Sequence, residues 1–129
     1  MNEPKSYTGL SGALRTSPWL ASEDLIGLGE VPAEIEDVLV YDEVMFDGGR
    51  KEQNVPTLKF RGKAKQMVIR TSANRRALVR MFGADTRNWR GKTVHLYHDP
   101  SVKFGGKQVG GLRIKLERAV GGLNQEATQ

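Results

Sequence analysis

Along residues 55–116 the spacing of apolar side chains changes from a period of two to about 3.6 and back to two, and that switch constrains the fold more than any other feature. "VPTLKFRG" sets Leu58 and Phe60 against Thr57, Lys59 and Arg61, and "KQMVIR" sets Met67 and Ile69 against Gln66, Val68 and Arg70. Alternation of this kind is that of half-buried strands. In "TSANRRALVRMFG", Ala77, Leu78, Met81 and Phe82 share one helical face while Arg75, Arg76 and Arg80 lie away from it. Thr71 or Ser72 can accept from the free amides at its start, and Gly83 suits its end. After Asp85, a second possible cap, Trp89 leads into "GKTVHLYHD", where Val94 and Leu96 oppose Thr93, His95 and Tyr97 as a strand.

Further strands flank this centre. Residues 34–46, rich in β-branched and aromatic side chains, read as a long first strand, followed by the polar loop "DGGRKEQN". "GKAK", residues 62–65, reads as a tight basic turn. In "SVKFGGKQVGGLRIKLER", Gly105 and Gly106 supply the positive φ of a two-residue hairpin between residues 102–104 and 107–109. Leu112, Ile114 and Leu116 then alternate with Arg113, Lys115 and Glu117. Three strands, one amphipathic helix and at least two more strands is the order of an OB-like five-stranded Greek-key barrel, a mainly β fold. A mixed α+β sheet has the same order. The expected domain is residues 34–118, with a partly ordered acidic segment at 1–33 and a disordered tail at 119–129. Within the first segment, "SPWLASEDL" reads as a helical turn that offers Trp19 and Leu20 to a core.

Charge is divided along the chain. Residues 1–50 hold 3 Lys and Arg against 10 Asp and Glu, a net of −7, and residues 51–129 hold 17 against 5, a net of +12. A basic portion of this size attracts phosphates if its charges converge. The absence of cysteine excludes disulfides and thiolate metal sites. No apolar run approaches the roughly 18 residues of a membrane span, and the start lacks the order of a signal peptide, so a cytoplasmic protein is expected.

Several catalytic constellations are incomplete. Gly105, Gly106, Gly110 and Gly111 lack the strand-to-helix context of a dinucleotide fingerprint, and "RGKT" at residues 90–93 is followed by a strand where a phosphate-binding loop needs a helix. His95 and His98 point to opposite faces of a strand, with no cysteine to complete a metal set. Asp37, Asp42, Glu43 and Asp47 could hold a divalent ion for phosphodiester cleavage only if they meet in space. No catalytic residue, metal or cofactor is assigned.

The cations make the stronger set. Lys59, Arg61, Lys63 and Lys65 run through the second strand and its turn, and Arg70, Lys103, Lys107, Arg113 and Lys115 occupy polar positions of other strands. On neighbouring strands about 4.8 Å apart they could follow a phosphodiester backbone. Unpaired bases also stack on rings for roughly 1–3 kcal/mol each. Tyr97 and Phe104 lie among the cations and are the expected stacking residues, whereas Phe60, Phe82 and Trp89 sit on apolar faces.

Residues 65–116 also resemble a family of small, mostly uncharacterised phage and prophage proteins with the pattern "G.DT..W.GK...LY" followed by "V..GGK.V.G.R". Asp85, Thr86, Trp89, Gly91, Lys92, Leu96 and Tyr97 carry its most specific part. The match extends over roughly residues 19–116. The resemblance implies an OB-like phage protein acting in DNA replication or recombination in the host cytoplasm, with no catalytic residues to transfer. The tail "GGLNQEATQ" departs from the acidic, apolar-tipped tail of bacterial single-strand binding proteins.

The leading expectation is non-enzymatic binding of single-stranded DNA with little sequence preference. Lys59, Arg61, Arg70, Lys103, Lys107, Arg113 and Lys115 would contact phosphate, and Tyr97 and Phe104 bases. A phage or host replication protein is a further expected partner, a homo-oligomer is left open, and no membrane is involved. The alternative is a protein-interaction module that engages an acidic partner through the same surface.

Overall fold

The structure, a computed structural model, describes residues 3–104, 107, 108 and 110–116. The side chains of Asp47, Phe104, Lys107 and Gln108 lie outside that description, as do the expected Gly105–Gly106 turn and tail. Chain order is β1 (Val31–Met45), β2 (Lys51–Phe60), β3 (Met67–Val68), α1 (Ser72–Phe82), β4 (Thr93–Asp99), β5 (Lys103–Phe104), β6 (Lys107–Gln108) and β7 (Gly111–Ile114). The fold is mainly β: five antiparallel strands form one open sheet in the order β3-β2-β1-β4-β7, accompanied by one helix and a separate β5-β6 hairpin.

The length of β1 organises the sheet. Its residues 31–34 pair with β4, and residues 35–45 pair with β2. A register shift between Ile35 and Asp37 marks the change of partner, as a bulge bends a strand. The strand starts three residues earlier than its composition suggests. Likewise residues 51–54, expected as loop, already belong to β2, because the connection is completed by Gly48 and Gly49 at φ 82° and 78°.

The helix forms as its caps predict: Thr71 accepts from the Asn74 amide at 3.3 Å, and Gly83 ends it at φ 99°. Ala77 and Leu78 reach the core, which they share with Ile35, Leu58, Phe60, Met67, Val94, Leu96 and Ile114. Full burial of such a side chain contributes roughly 1.5–3 kcal/mol. Asp85 caps a short 3-10 turn, Thr86–Asn88, by accepting from the Arg87 amide. Trp89 follows that turn, buried, with its indole N–H donating to the Gly83 carbonyl at 2.8 Å. It therefore joins the end of α1 to the core before β4 begins.

Both outer strands of the sheet meet a substitute partner. Along β3, the Leu20 amide donates to the Gln66 carbonyl at 2.8 Å and the Gln66 amide to the Pro18 carbonyl at 3.0 Å. Residues 18–20 thus form a parallel bridge at Trp19–Gln66, and the helical turn expected in this stretch forms after them, as a 3-10 turn at Ser22–Leu25. Along β7, the amide side chain of Asn74 donates to the Leu112 carbonyl and accepts from the Ile114 N–H, both at 2.9 Å. No ladder joins β3 to β7 among the described residues; the start of α1 stands between them.

Candidate nucleic-acid interface

A groove of about 510 Å³ opens between the β3 and β7 edges. Trp19 and Phe46 line it together with Arg15, Arg70, Lys103 and Arg113, and the first residues of α1 form part of its wall. Trp19 meets Tyr41 edge-on at 5.5 Å and Phe46 at 5.9 Å. The Arg70 and Arg50 guanidinium carbons lie 5.0 and 5.2 Å from the Phe46 ring centre, within cation–π range.

The segment carrying Trp19 is held down by charge. Asp24, whose side chain is 7% exposed, accepts from Arg15 and the Ala21 amide, each at 2.8 Å, and from Lys65 at 3.0 Å. Burial pushes the Asp24 carboxyl up, but the Ala21 amide, Lys65 and Arg15 outweigh it and hold it below its ordinary value. Lys65 also donates to the Arg15 carbonyl at 3.1 Å, which closes a clamp between the N-terminal segment and the turn after β2.

Glu52 sits beside the groove and accepts twice from Arg70, at 2.8 and 2.9 Å, and once from Arg50 at 3.0 Å. The Arg70 hydrogen bonds hold its carboxyl below the usual range. Lys103 and Arg113 have no salt bridge among the described residues, although Asp99 lies near enough to feel the Arg113 charge. Both Arg70 bonds come from its Nη1, and a guanidinium that donates to a carboxylate can donate likewise to a phosphate oxygen.

The expected cations do not form one wall. Arg70, Lys103 and Arg113 meet in the groove. Lys59 pairs with Glu36 at 3.4 Å and Arg61 with Glu34 at 3.0 Å, so the carboxylates of β1 neutralise that end of β2. Lys115 pairs with Glu30 at 2.8 Å. With Tyr97 it lines a different concavity, also floored by Leu25 and Ile26. Phe104 and Lys107 keep their strand positions in the β5-β6 hairpin, but their side chains are outside the described set. Among the described residues, no three His, Asp or Glu side chains gather as metal ligands, so Asp37, Asp42 and Glu43 do not meet. Asp37 pairs with Arg90 at 2.9 Å.

Trp19 and Phe46 are the site residues that residue patterns did not indicate. Trp19 reads as a core plug until its pairing with Gln66 is known, and Phe46 reads as the last residue of a strand. Gly110 and Gly111 gain a reason for their identity. A Cβ on Gly110, at φ 79°, would lie 2.5 Å from His98 Cε1, and one on Gly111 would lie 2.9 Å from Val102 Cγ2. The β7 side of the groove needs both glycines to pass so close to β4 and the strand connection.

The chain matches no family model, no curated protein and no solved structure. Among the described residues, no helix is long and apolar enough to cross a membrane.

Proposed function

We propose that this protein binds single-stranded nucleic acid, with little sequence preference and without catalysis, in the groove between β3 and β7. The observation that carries the reading is the meeting of Trp19 and Phe46 with Arg70, Lys103 and Arg113 in one concavity. Rings and guanidinium planes stack on unpaired bases, a handle that a paired duplex hides, and the cations track the backbone. The fold is read as an OB-like barrel in which Asn74 of α1 takes up the β7 edge that a direct β3-β7 ladder would pair. Such barrels commonly bind strands across one face. Phage DNA replication or recombination, in the host cytoplasm, is the setting implied by the sequence resemblance. DNA is taken as the ligand.

Fluorescence anisotropy with labelled oligo-dT tests the reading. Binding should be clear at low salt, weaken steeply as salt rises, and fall about tenfold or more when Arg70 and Arg113 are both changed to Gln. No binding at low salt, or equal binding by the double variant, would overturn it. The alternative, an acidic protein partner on the same surface, is favoured by one observation: the Glu52–Arg70 pair shows that the groove rim accepts a carboxylate. A protein captured from nuclease-treated lysate by wild type and lost with the same double variant, in the absence of oligo-dT binding, would support that reading instead.

A further inference from the structure

Among the described residues, α1 carries three cations outside ion pairs on one element. Arg75, Arg76 and Arg80 are exposed, and none joins a salt bridge or a side-chain hydrogen bond among the described residues; the same is true of Lys92 beyond the helix. This contrasts with Lys59, Arg61 and Lys115, each matched by a carboxylate. The helix "SANRRALVRMF" contains no acidic residue. Arg75 and Arg76 occupy its N-terminal half, with no acid on the helix to offset them. Arg76 and Arg80, four apart, repel each other on one face. Only Arg80, in the last turn, is placed where the dipole favours a cation. The arrangement thus opposes helix stability and has no internal counter-charge.

Its position gives it a use. Thr71 and Asn74, at the start of α1, line the groove, while Met81 and Phe82, at its end, line a second concavity of about 620 Å³ that also holds Lys92. Eleven helical residues span about 16 Å. We propose that the outer face of α1, Arg75, Arg76 and Arg80 with Lys92 beyond them, is a phosphate track that carries a bound single strand out of the groove towards the second concavity. The inference rests on the groove reading above and adds to it a second, purely electrostatic contact that only a longer strand can reach.

The test compares dT oligomers of about 6 and about 25 nucleotides, below and above the middle of the roughly 4–16 that one such module covers. Full-length wild type is compared with R75Q/R76Q/R80Q, whose exposed glutamines keep good helix propensity. The short oligomer should bind both proteins alike. The long one should bind wild type more tightly, and the variant should lower the slope of log K against log salt by about 2, at roughly 0.7 for each lost phosphate contact. R75K/R76K/R80K should restore that slope, which separates charge from folding. An unchanged slope in the glutamine variant, or loss of affinity for anionic vesicles but not for the long oligomer, would overturn the track. If the short oligomer alone fails to bind, the groove reading falls, and a charge-dependent slope of the long oligomer then marks α1 as a phosphate contact in its own right and not as a route out of the groove.

Discussion

Asn74 Oδ1 accepts the Ile114 N–H at 2.9 Å, while the other end of the same amide donates to the Leu112 carbonyl at 2.9 Å. One side chain on a helix thereby does for β7 what a neighbouring strand would do. Asn74 is 3% exposed, so its partners have little water to turn to. Asn74→Ala leaves the buried Ile114 N–H and the half-buried Leu112 C=O without these partners, and should destabilise the protein by roughly 1–3 kcal/mol. The urea midpoint reads the loss. Asn74→Asp keeps the acceptor but loses the donor and should not restore stability.

Glu52 competes with any phosphate for Arg70 and Arg50. Glu52→Gln removes the charge while keeping the side-chain shape, and because the pair is partly exposed its release should be modest. Affinity for oligo-dT should rise about two- to fivefold at low salt, the modest effect expected of a solvent-screened ion pair. Anisotropy at two salt concentrations measures it. A fall in affinity would mean that Glu52 positions Arg70 for binding.

The clamp on Trp19 has a defined pH window. The folded pKa of Asp24 lies below its ordinary 3.8, so folding favours the charged form. Its contribution is complete above about pH 4 and is lost as pH falls through the lowered folded value. At pH 7 and pH 5, Asp24→Asn should lower the urea midpoint by the same amount, equivalent to roughly 1–3 kcal/mol. In acid the two proteins should converge.

On α1, stability and binding should move in opposite directions. Arg76→Glu replaces a like-charge pair by a Glu–Arg pair at 76 and 80, favourable to the helix by about 0.2–0.5 kcal/mol. The melting temperature should rise slightly while the affinity for a long oligomer drops. Calorimetry and anisotropy on the same samples check both.

Much of the secondary structure was legible because alternation and helical periodicity are local. Leu58, Phe60, Met67 and Leu78 fall in the core as their spacing indicates. Thr57, however, alternates as a solvent-facing residue yet is fully buried, with its hydroxyl on Gln66 Oε1 at 2.9 Å. Its cover comes from side chains brought in by long-range pairing. The same holds for the charges. Lys59 and Arg61 look like open phosphate contacts until the register of β1 sets Glu36 and Glu34 beside them. The groove joins residues from Trp19 to Arg113, and only the order of strands around the sheet brings them together. Arg70, Lys103 and Arg113 could be named from the sequence; their rings could not.

Backbone amide NMR with a short oligo-dT titrated into the full chain tests the placement of the site most directly. The groove account predicts that shifts concentrate at Val68, Arg70, Thr71, Lys103, Leu112 and Arg113, and at the Trp19 indole. Shifts confined to Lys59, Arg61, Tyr97 and Lys115, or no shifts at low salt, would contradict it.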